Sequence, residues 1–235
     1  GTSAGAIVGA LFADGYSPDE ILEIFNSTSR LHYIKPAVPH AGLFRISGII
    51  RILKENLRAK KFEQLKIPLY VCATDLNNGK AVYFSEGELI NPIIASASIP
   101  VLFEPVILNK ACFVDGGVLD NLPVGPVEKA CRYLIGSFVN PVGHEENFSS
   151  LMSIAERTFM LNISKEVALK SEKFDLFIAP PELRNYKILD PEKAREVFSI
   201  GYDATRSMLD KKVKGSATGS IAPGREKQLR QRIKE

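Results

Sequence analysis

The chain opens Gly1-Thr2-Ser3-Ala4-Gly5, and this G-x-S-x-G run leads directly into a small, apolar stretch, Ala4 to Asp14 (AGAIVGALFAD). No other feature constrains the backbone as tightly. The pattern suits a sharp turn that joins a strand to a helix and presents the serine at its apex. The serine backbone is then strained, and residues two positions to either side are pressed together, so glycine suits Gly1 and Gly5. Such a turn needs a sheet before it and a helix after it, which is the layout of an α/β protein. Ile7, Val8, Leu11 and Phe12 are spaced to pack, and Gly15 is a natural helix stop.

The same turn proposes a chemistry. A serine hydroxyl is a weak nucleophile at neutral pH, and it needs exposure, a base and donors for an oxyanion. The turn supplies the exposure. The helix start places a positive dipole end and backbone N–H groups beside Ser3, with that of Ala4 a candidate oxyanion donor.

Length and composition are those of one globular domain. The chain has 235 residues, 45% of them hydrophobic, and no apolar run long enough for a membrane-spanning helix. Its net charge of +3 lies wholly in residues 225–235 (REKQLRQRIKE), which hold five basic and two acidic groups. The rest is balanced, so no basic field marks a nucleic-acid partner. Cys72, Cys112 and Cys131 fit neither a disulfide framework nor a zinc site. They read as buried free thiols of a reducing compartment, hence a cytoplasmic protein.

Local signals lay out the remaining elements. Ser17-Pro18-Asp19-Glu20 is a capping box opening a helix to about Ser29. Residues 31–46 read as irregular. Ser47 to Ala59 is amphipathic, with Ile49, Ile50, Leu53 and Leu57 on one face and Arg51, Lys54 and Arg58 on another. A basic amphipathic helix suits an anionic membrane surface, so residues 43–61 are a candidate for peripheral membrane contact; packing on the protein core is the alternative. Ile67 to Ala73 reads as a buried strand, Asn77-Asn78-Gly79 as a turn, and Lys80 to Ser85 as the return strand. A helix over Glu88 to Ala97 follows, then a tight turn at Asn109-Lys110 between two apolar runs. A buried strand over Tyr133 to Val139, a helix over Phe148 to Lys170, a strand over Leu176 to Ala179 and a helix over Pro191 to Leu209 complete the pattern. Strands alternating with helices argue for a mostly parallel sheet covered on both faces. The domain is expected to span 1–213, followed by a flexible linker at 214–224 and a charged helical tail, native or appended, at 225–235.

Two kinds of base could serve Ser3. His32 and His40 lie in the irregular stretch, and His144 follows a strand, as the last member of a Ser–acid–His order would. Asp115 ends an apolar strand and is followed by Gly116 and Gly117, which allow a tight turn and close backbone approach. There it can face the crevice at the strand ends where α/β proteins bind ligands, or it can simply cap its own turn. Asp75 reads as the cap of its own turn, and Ser96 and Ser98 as residues that fix local backbone.

Taken together, Gly1-Thr2-Ser3-Ala4-Gly5, Ala73-Thr74-Asp75-Leu76, Ala95-Ser96-Ala97-Ser98-Ile99-Pro100 with Phe103-Glu104-Pro105, and Asp115-Gly116-Gly117 with Asn121 and Pro123 resemble the patatin-like phospholipases over roughly residues 1–210. The resemblance implies a three-layer α/β/α fold. It implies a Ser3–Asp115 dyad that needs no histidine, metal or organic cofactor and releases fatty acid from a lipid or other acyl ester through an acyl-enzyme. It also leads us to expect, upstream of Gly1, a further strand and a glycine-rich loop carrying most of the oxyanion donors. A His-assisted esterase and a non-catalytic scaffold with a relic site are the competing readings. Head group, acyl length and oligomeric state leave no mark in these motifs.

Overall fold

In the computed structural model, which describes residues 1–28, 35–36, 44–186 and 193–216, the serine turn runs straight into helix α1 (Ala4–Asp14). Gly15 ends α1 in the left-handed conformation (φ 103°), where its amide and that of Tyr16 satisfy carbonyls of the last turn. Helix α2 (Pro18–Thr28) begins at the expected capping box: Ser17 N–H donates to Glu20 and Glu20 N–H to Ser17 Oγ. Strands β1 (Lys35–Pro36) and β2 (Phe44–Arg45) pair antiparallel within the stretch expected to be irregular. Most of residues 31–46, including His32 and His40, lies outside the described residues.

Helix α3 (Ser47–Asn56) stops three residues short of the expected Ala59. The cause is buried Asp14, whose carboxylate accepts the N–H groups of Arg58 and Ala59 and pulls the chain out of the helix. Of the two uses open to the apolar face of α3, packing is the one observed. Leu53 and Leu57 are buried in the main core, with Ile49 and Ile50 against it, so that face is not available to a bilayer. No helix among the described residues is long and apolar enough to cross a membrane.

Strand β3 (Val71–Asp75), buried along its whole length, starts four residues later than expected, beyond Pro68. It turns through Asn77-Asn78-Gly79 (Gly79 φ 61°) into β4 (Lys80–Phe84). Asp75 caps that turn, accepting from both the amide and the side chain of Asn78, which hold its carboxyl below the usual range. The buried helix α4 (Ile90–Ser96) follows. Then β5 (Val106–Leu108) and β6 (Ala111–Asp115) form a hairpin, with Asn109 and Lys110 both at positive φ as its two-residue turn requires.

These strands form one sheet in the order β4-β3-β6-β5. The chain is α/β, but the expected mostly parallel pairing is corrected here: every pairing in this sheet is antiparallel. The two hairpins impose that direction on β3–β4 and β5–β6, since a short turn can only reverse the chain, and β3 pairs with β6 antiparallel between them. Parallel pairing occurs where Thr2 bridges Cys72, and between β7 (Ile135–Ser137) and β8 (Leu176–Ile178). The expected buried strand over 133–139 is also corrected, because Ile135 is 67% exposed and only the middle residue of β7 is buried.

Between β6 and β7 lies the short helix α5 (Gly125–Glu128); α6 (Leu151–Lys170), with a Ser150 capping box, and α7 (Ala194–Ser216) follow. Helix α7 continues past the expected boundary at 213, and residues 217–235 lie outside the described residues. In the three-layer arrangement the main core lies among α1–α4 and the sheet, from Ile7 and Leu11 to Leu89, Ile93 and Phe103. Each such side chain, fully buried, contributes about 1.5–3 kcal/mol. A second cluster sets Ile163 and Val167 of α6 against Leu122 and Phe138. The cysteines are free, though only Cys72 is buried, its thiol pushed up to about 12 mainly by burial; Cys112 is half-buried and Cys131 exposed.

Candidate active site

Ser3 sits at the head of α1 with φ 55° and ψ −126°, a conformation L-residues rarely adopt. Bonds from distant parts of the chain hold it there. Gly1 C=O accepts from Cys72 N–H (3.0 Å), and Thr2 Oγ1 donates to the Asp120 carbonyl (3.0 Å). Ser3 N–H donates to Ser96 Oγ (3.0 Å), at the fully buried end of α4. Gly1 is required sterically, because a Cβ there would lie 2.5 Å from the Gly5 carbonyl oxygen. Gly5 departs from expectation: a Cβ would meet nothing within 4 Å. Open space, rather than a close neighbour, adjoins the turn on that side.

The backbone donors around Ser3 sort themselves. Gly5 N–H goes to the Thr2 carbonyl and Ala6 N–H to that of Ser3, while Ser3 N–H is taken by Ser96. Ala4 N–H makes no hydrogen bond among the described residues, which leaves it to meet an incoming oxyanion.

Asp115 ends β6, where its N–H donates to the Ser98 carbonyl (2.9 Å). It is 1% exposed. Gly117 N–H donates to its Oδ1 (2.8 Å), Oδ2 has no hydrogen-bond partner among the described residues, and the Ser3 hydroxyl is near enough to favour the ionised carboxylate. Burial raises the Asp115 carboxyl to about 7, against the lowering effect of the Gly117 amide and the Ser3 hydroxyl. Gly116 is needed for this fit, since a Cβ would press into the carbonyl oxygen of Cys72; one on Gly117 would lie 3.0 Å from Asn121 Oδ1. The structure thus brings together Ser3, Ala4, Asp115, Gly116 and Gly117, from segments more than 100 residues apart.

His144 does not join them. Its side chain is 85% exposed, and its charged neighbour is Glu146, 4.0 Å away. No group of three or more metal-ligating side chains exists among the described residues.

Two contributors escaped the sequence reading. Ser96 orients the Ser3 turn rather than merely its own helix end, and no local pattern could reveal a partner 93 residues away. Asp120 is 5% exposed; its carboxylate accepts from Tyr83 Oη (2.5 Å) and Lys170 Nζ (2.6 Å). The available signal was an aspartate following an apolar Val-Leu pair just past the double glycine.

Residues 1–127, which contain the serine turn, β3, α4 and the Asp115 turn, match the family model for patatin-like phospholipases. An uncharacterised NTE family protein of Mycobacterium tuberculosis is 35% identical over 130 residues, covering 54% of this chain and 36% of its own length. A lysophospholipase of Scheffersomyces stipitis is 23% identical over 268 residues, covering 94% of this chain and 16% of its own length. A probable lipid hydrolase of Invertebrate iridescent virus 6 is 28% identical over 146 residues, covering 53% of this chain and half of its own. The chain therefore spans half or less of the length of each of these relatives.

Proposed function

Because the chain belongs to the patatin-like phospholipase family, we propose that it hydrolyses acyl esters of lipids with Ser3 as nucleophile and Asp115 as general base. The observation that carries this reading is a buried carboxylate, raised to about 7, close to the hydroxyl of a serine held in a strained turn at the head of α1. A base is most effective when its pKa lies near the working pH, where enough of it is ionised and it still draws the proton strongly.

In the proposed reaction Asp115 takes the Ser3 hydroxyl proton as Oγ attacks the ester carbonyl. The negative charge moves to the carbonyl oxygen, where Ala4 N–H and the positive end of α1 meet it. Collapse of this intermediate breaks the ester C–O bond, and the leaving alcohol takes the proton from Asp115. Water then attacks the acyl-Ser3 carbonyl and gives a proton to Asp115, which returns it to Ser3 Oγ as the fatty acid departs. Lipid acyl esters are the substrate class that the names of the yeast and viral relatives favour. Exposed Val8 and Phe12 on α1, and Leu119 just beyond the Asp115 turn, suit an apolar chain near the site.

The test combines labelling with a fluorophosphonate and turnover of a short p-nitrophenyl ester. Wild-type protein is expected to label at Ser3, and Ser3→Ala and Asp115→Asn to lose at least about 10³-fold in kcat. Full activity in Asp115→Asn, or a loss of that size in His144→Ala, would overturn the dyad.

A further inference from the structure

The Ser3 turn and the Asp115 turn are both tied to one further residue, which touches neither Ser3 Oγ nor the Asp115 carboxylate. Asp120 N–H donates to the Gly116 carbonyl (2.7 Å), and the Asp120 carbonyl accepts from Thr2 Oγ1 (3.0 Å). Its backbone thus spans the neighbour of the base and the neighbour of the nucleophile. Its side chain is anchored independently, by Tyr83 Oη of β4 and Lys170 Nζ of α6. Lys170 also pairs with Glu166 one turn earlier, and Glu166 Oε2 accepts from Asn121 N–H (3.1 Å), the residue after Asp120.

The chemistry of this cluster is unusual for a site that only fills space. Asp120 is 7% exposed at its side chain, Glu166 21% and Lys170 25%, so two carboxylates share one ammonium with little water. Burial alone would lower the Lys170 pKa, but hydrogen bonds to Asp120 and Glu166, and their charges, raise it on balance. The Tyr83 hydroxyl is pushed up by burial and by the Asp120 carboxylate, so it stays a donor. Removing Lys170 would leave the Asp120 and Glu166 carboxylates without their shared counter-charge and favour their moving apart.

We propose that Asp120, clamped by Tyr83, Lys170 and Glu166, is a positioning residue that sets the distance between the Ser3 hydroxyl and the Asp115 carboxylate. This rests on the Ser3–Asp115 reading. Small displacements matter here, since a misplacement of about 1 Å can cost about a hundredfold in rate. The clamp acts on the attack step rather than on substrate binding. Its loss lowers kcat and the first-order labelling constant and leaves KM in place.

Fluorophosphonate labelling followed to completion, with rates normalised to the sites finally titrated, isolates this effect from any loss of folded protein. Thr2→Val keeps the shape of Thr2 and removes the donor to the Asp120 carbonyl; Thr2→Ser restores it. We expect Thr2→Val, Tyr83→Phe and Lys170→Met each to label about ten- to hundredfold more slowly, with KM for a short ester within about twofold and Thr2→Ser close to wild type. The Thr2→Val/Lys170→Met pair should be little slower than the slower single variant, because both cut one tether. If Lys170→Met does not fold, the Thr2 series and Tyr83→Phe carry the same test. Per-site rates within about twofold of wild type in Thr2→Val and Tyr83→Phe would overturn the clamp while leaving the dyad intact. A wild-type protein that does not label at Ser3 overturns the dyad, and the clamp with it.

Discussion

Replacing Asp115 by asparagine is expected to stabilise the protein at alkaline pH while it destroys the proposed reaction. Burial raises the Asp115 carboxyl from its ordinary 3.8 to about 7. In the unfolded chain the same group titrates near its ordinary value. Between about pH 4 and 7 the folded protein holds a proton that the unfolded chain has released. The stability this site contributes is therefore complete below about pH 4, is lost as pH rises through about 7, and stays lost above that. At 1.36 kcal/mol per pKa unit the gap corresponds to about 4 kcal/mol by about pH 8.5. Asparagine keeps the acceptor that Gly117 N–H uses at 2.8 Å and replaces the poorly partnered Oδ2 with an uncharged amide. That new buried donor costs about 1–3 kcal/mol, which leaves a net gain of about 1–3 kcal/mol at about pH 8.5. Near pH 4.5 the wild-type carboxyl is itself mostly protonated, and the variant should be no more stable than wild type, or slightly less. Urea denaturation of both proteins at about four pH values between 4.5 and 8.5 measures the difference directly. A difference that does not change with pH, or that shrinks as pH rises, would refute the argument. The rate of Ser3 labelling in the wild type should climb across the same interval.

Further outcomes follow from individual contacts. Gly116→Ala should cost about 3 kcal/mol or more, because its Cβ would meet the Cys72 backbone, whereas Gly5→Ala should be neutral or stabilise α1 by about 0.5–1 kcal/mol. Thermal melts of the two variants separate these cases, and a large loss in Gly5→Ala would contradict the open space beside it. Ser96→Ala leaves the Ser3 amide without its acceptor and should cost about 1–3 kcal/mol in urea stability together with a fall in kcat. His144→Ala, at an exposed loop, should change neither stability nor kcat by more than about twofold in a p-nitrophenyl ester assay.

What could be read from the residues alone was whatever is written locally. The Ser17/Glu20 capping box, the Gly15 stop, the Asn77-Asn78-Gly79 turn and the Asn109-Lys110 turn each depend on neighbours within four residues, and all appear where expected. Ser3 and Asp115 were each legible from their own turns, and the family resemblance added their pairing as a dyad without a histidine. The failures have a common physical origin in partners far along the chain. Asp14 ends α3 from 44 residues away, and Ser96 reaches Ser3 across 93. Asp120 draws its two side-chain partners from 37 residues before it and 50 after it. Strand direction failed for a related reason. Alternation of strands and helices suggests parallel pairing, but two hairpin turns that were themselves legible impose the opposite direction on two of the three pairings in the four-stranded sheet. The apolar composition of β7 suggests burial on both faces, but only its middle residue is covered, because an apolar strand of three residues can still leave one face to solvent.

The bonds that hold Ser3 in its strained turn have one further consequence, for the order of events in folding. Cys72, Ser96, Asp115 and Asp120 all lie 71 or more residues away in sequence (72 − 1 = 71 for the nearest) from the residues they restrain. Helices α1 and α2 have their own stop and start signals and can form early, but nothing local forces Ser3 into a left-handed backbone. Ser3 acquires its geometry only once loops of this length have closed, and loop closure is the slow part of assembling non-local contacts. The fluorophosphonate reactivity proposed for Ser3 is therefore expected to be a late marker, returning on refolding after helical content has recovered. A chain can look folded by its helices and still lack a reactive serine.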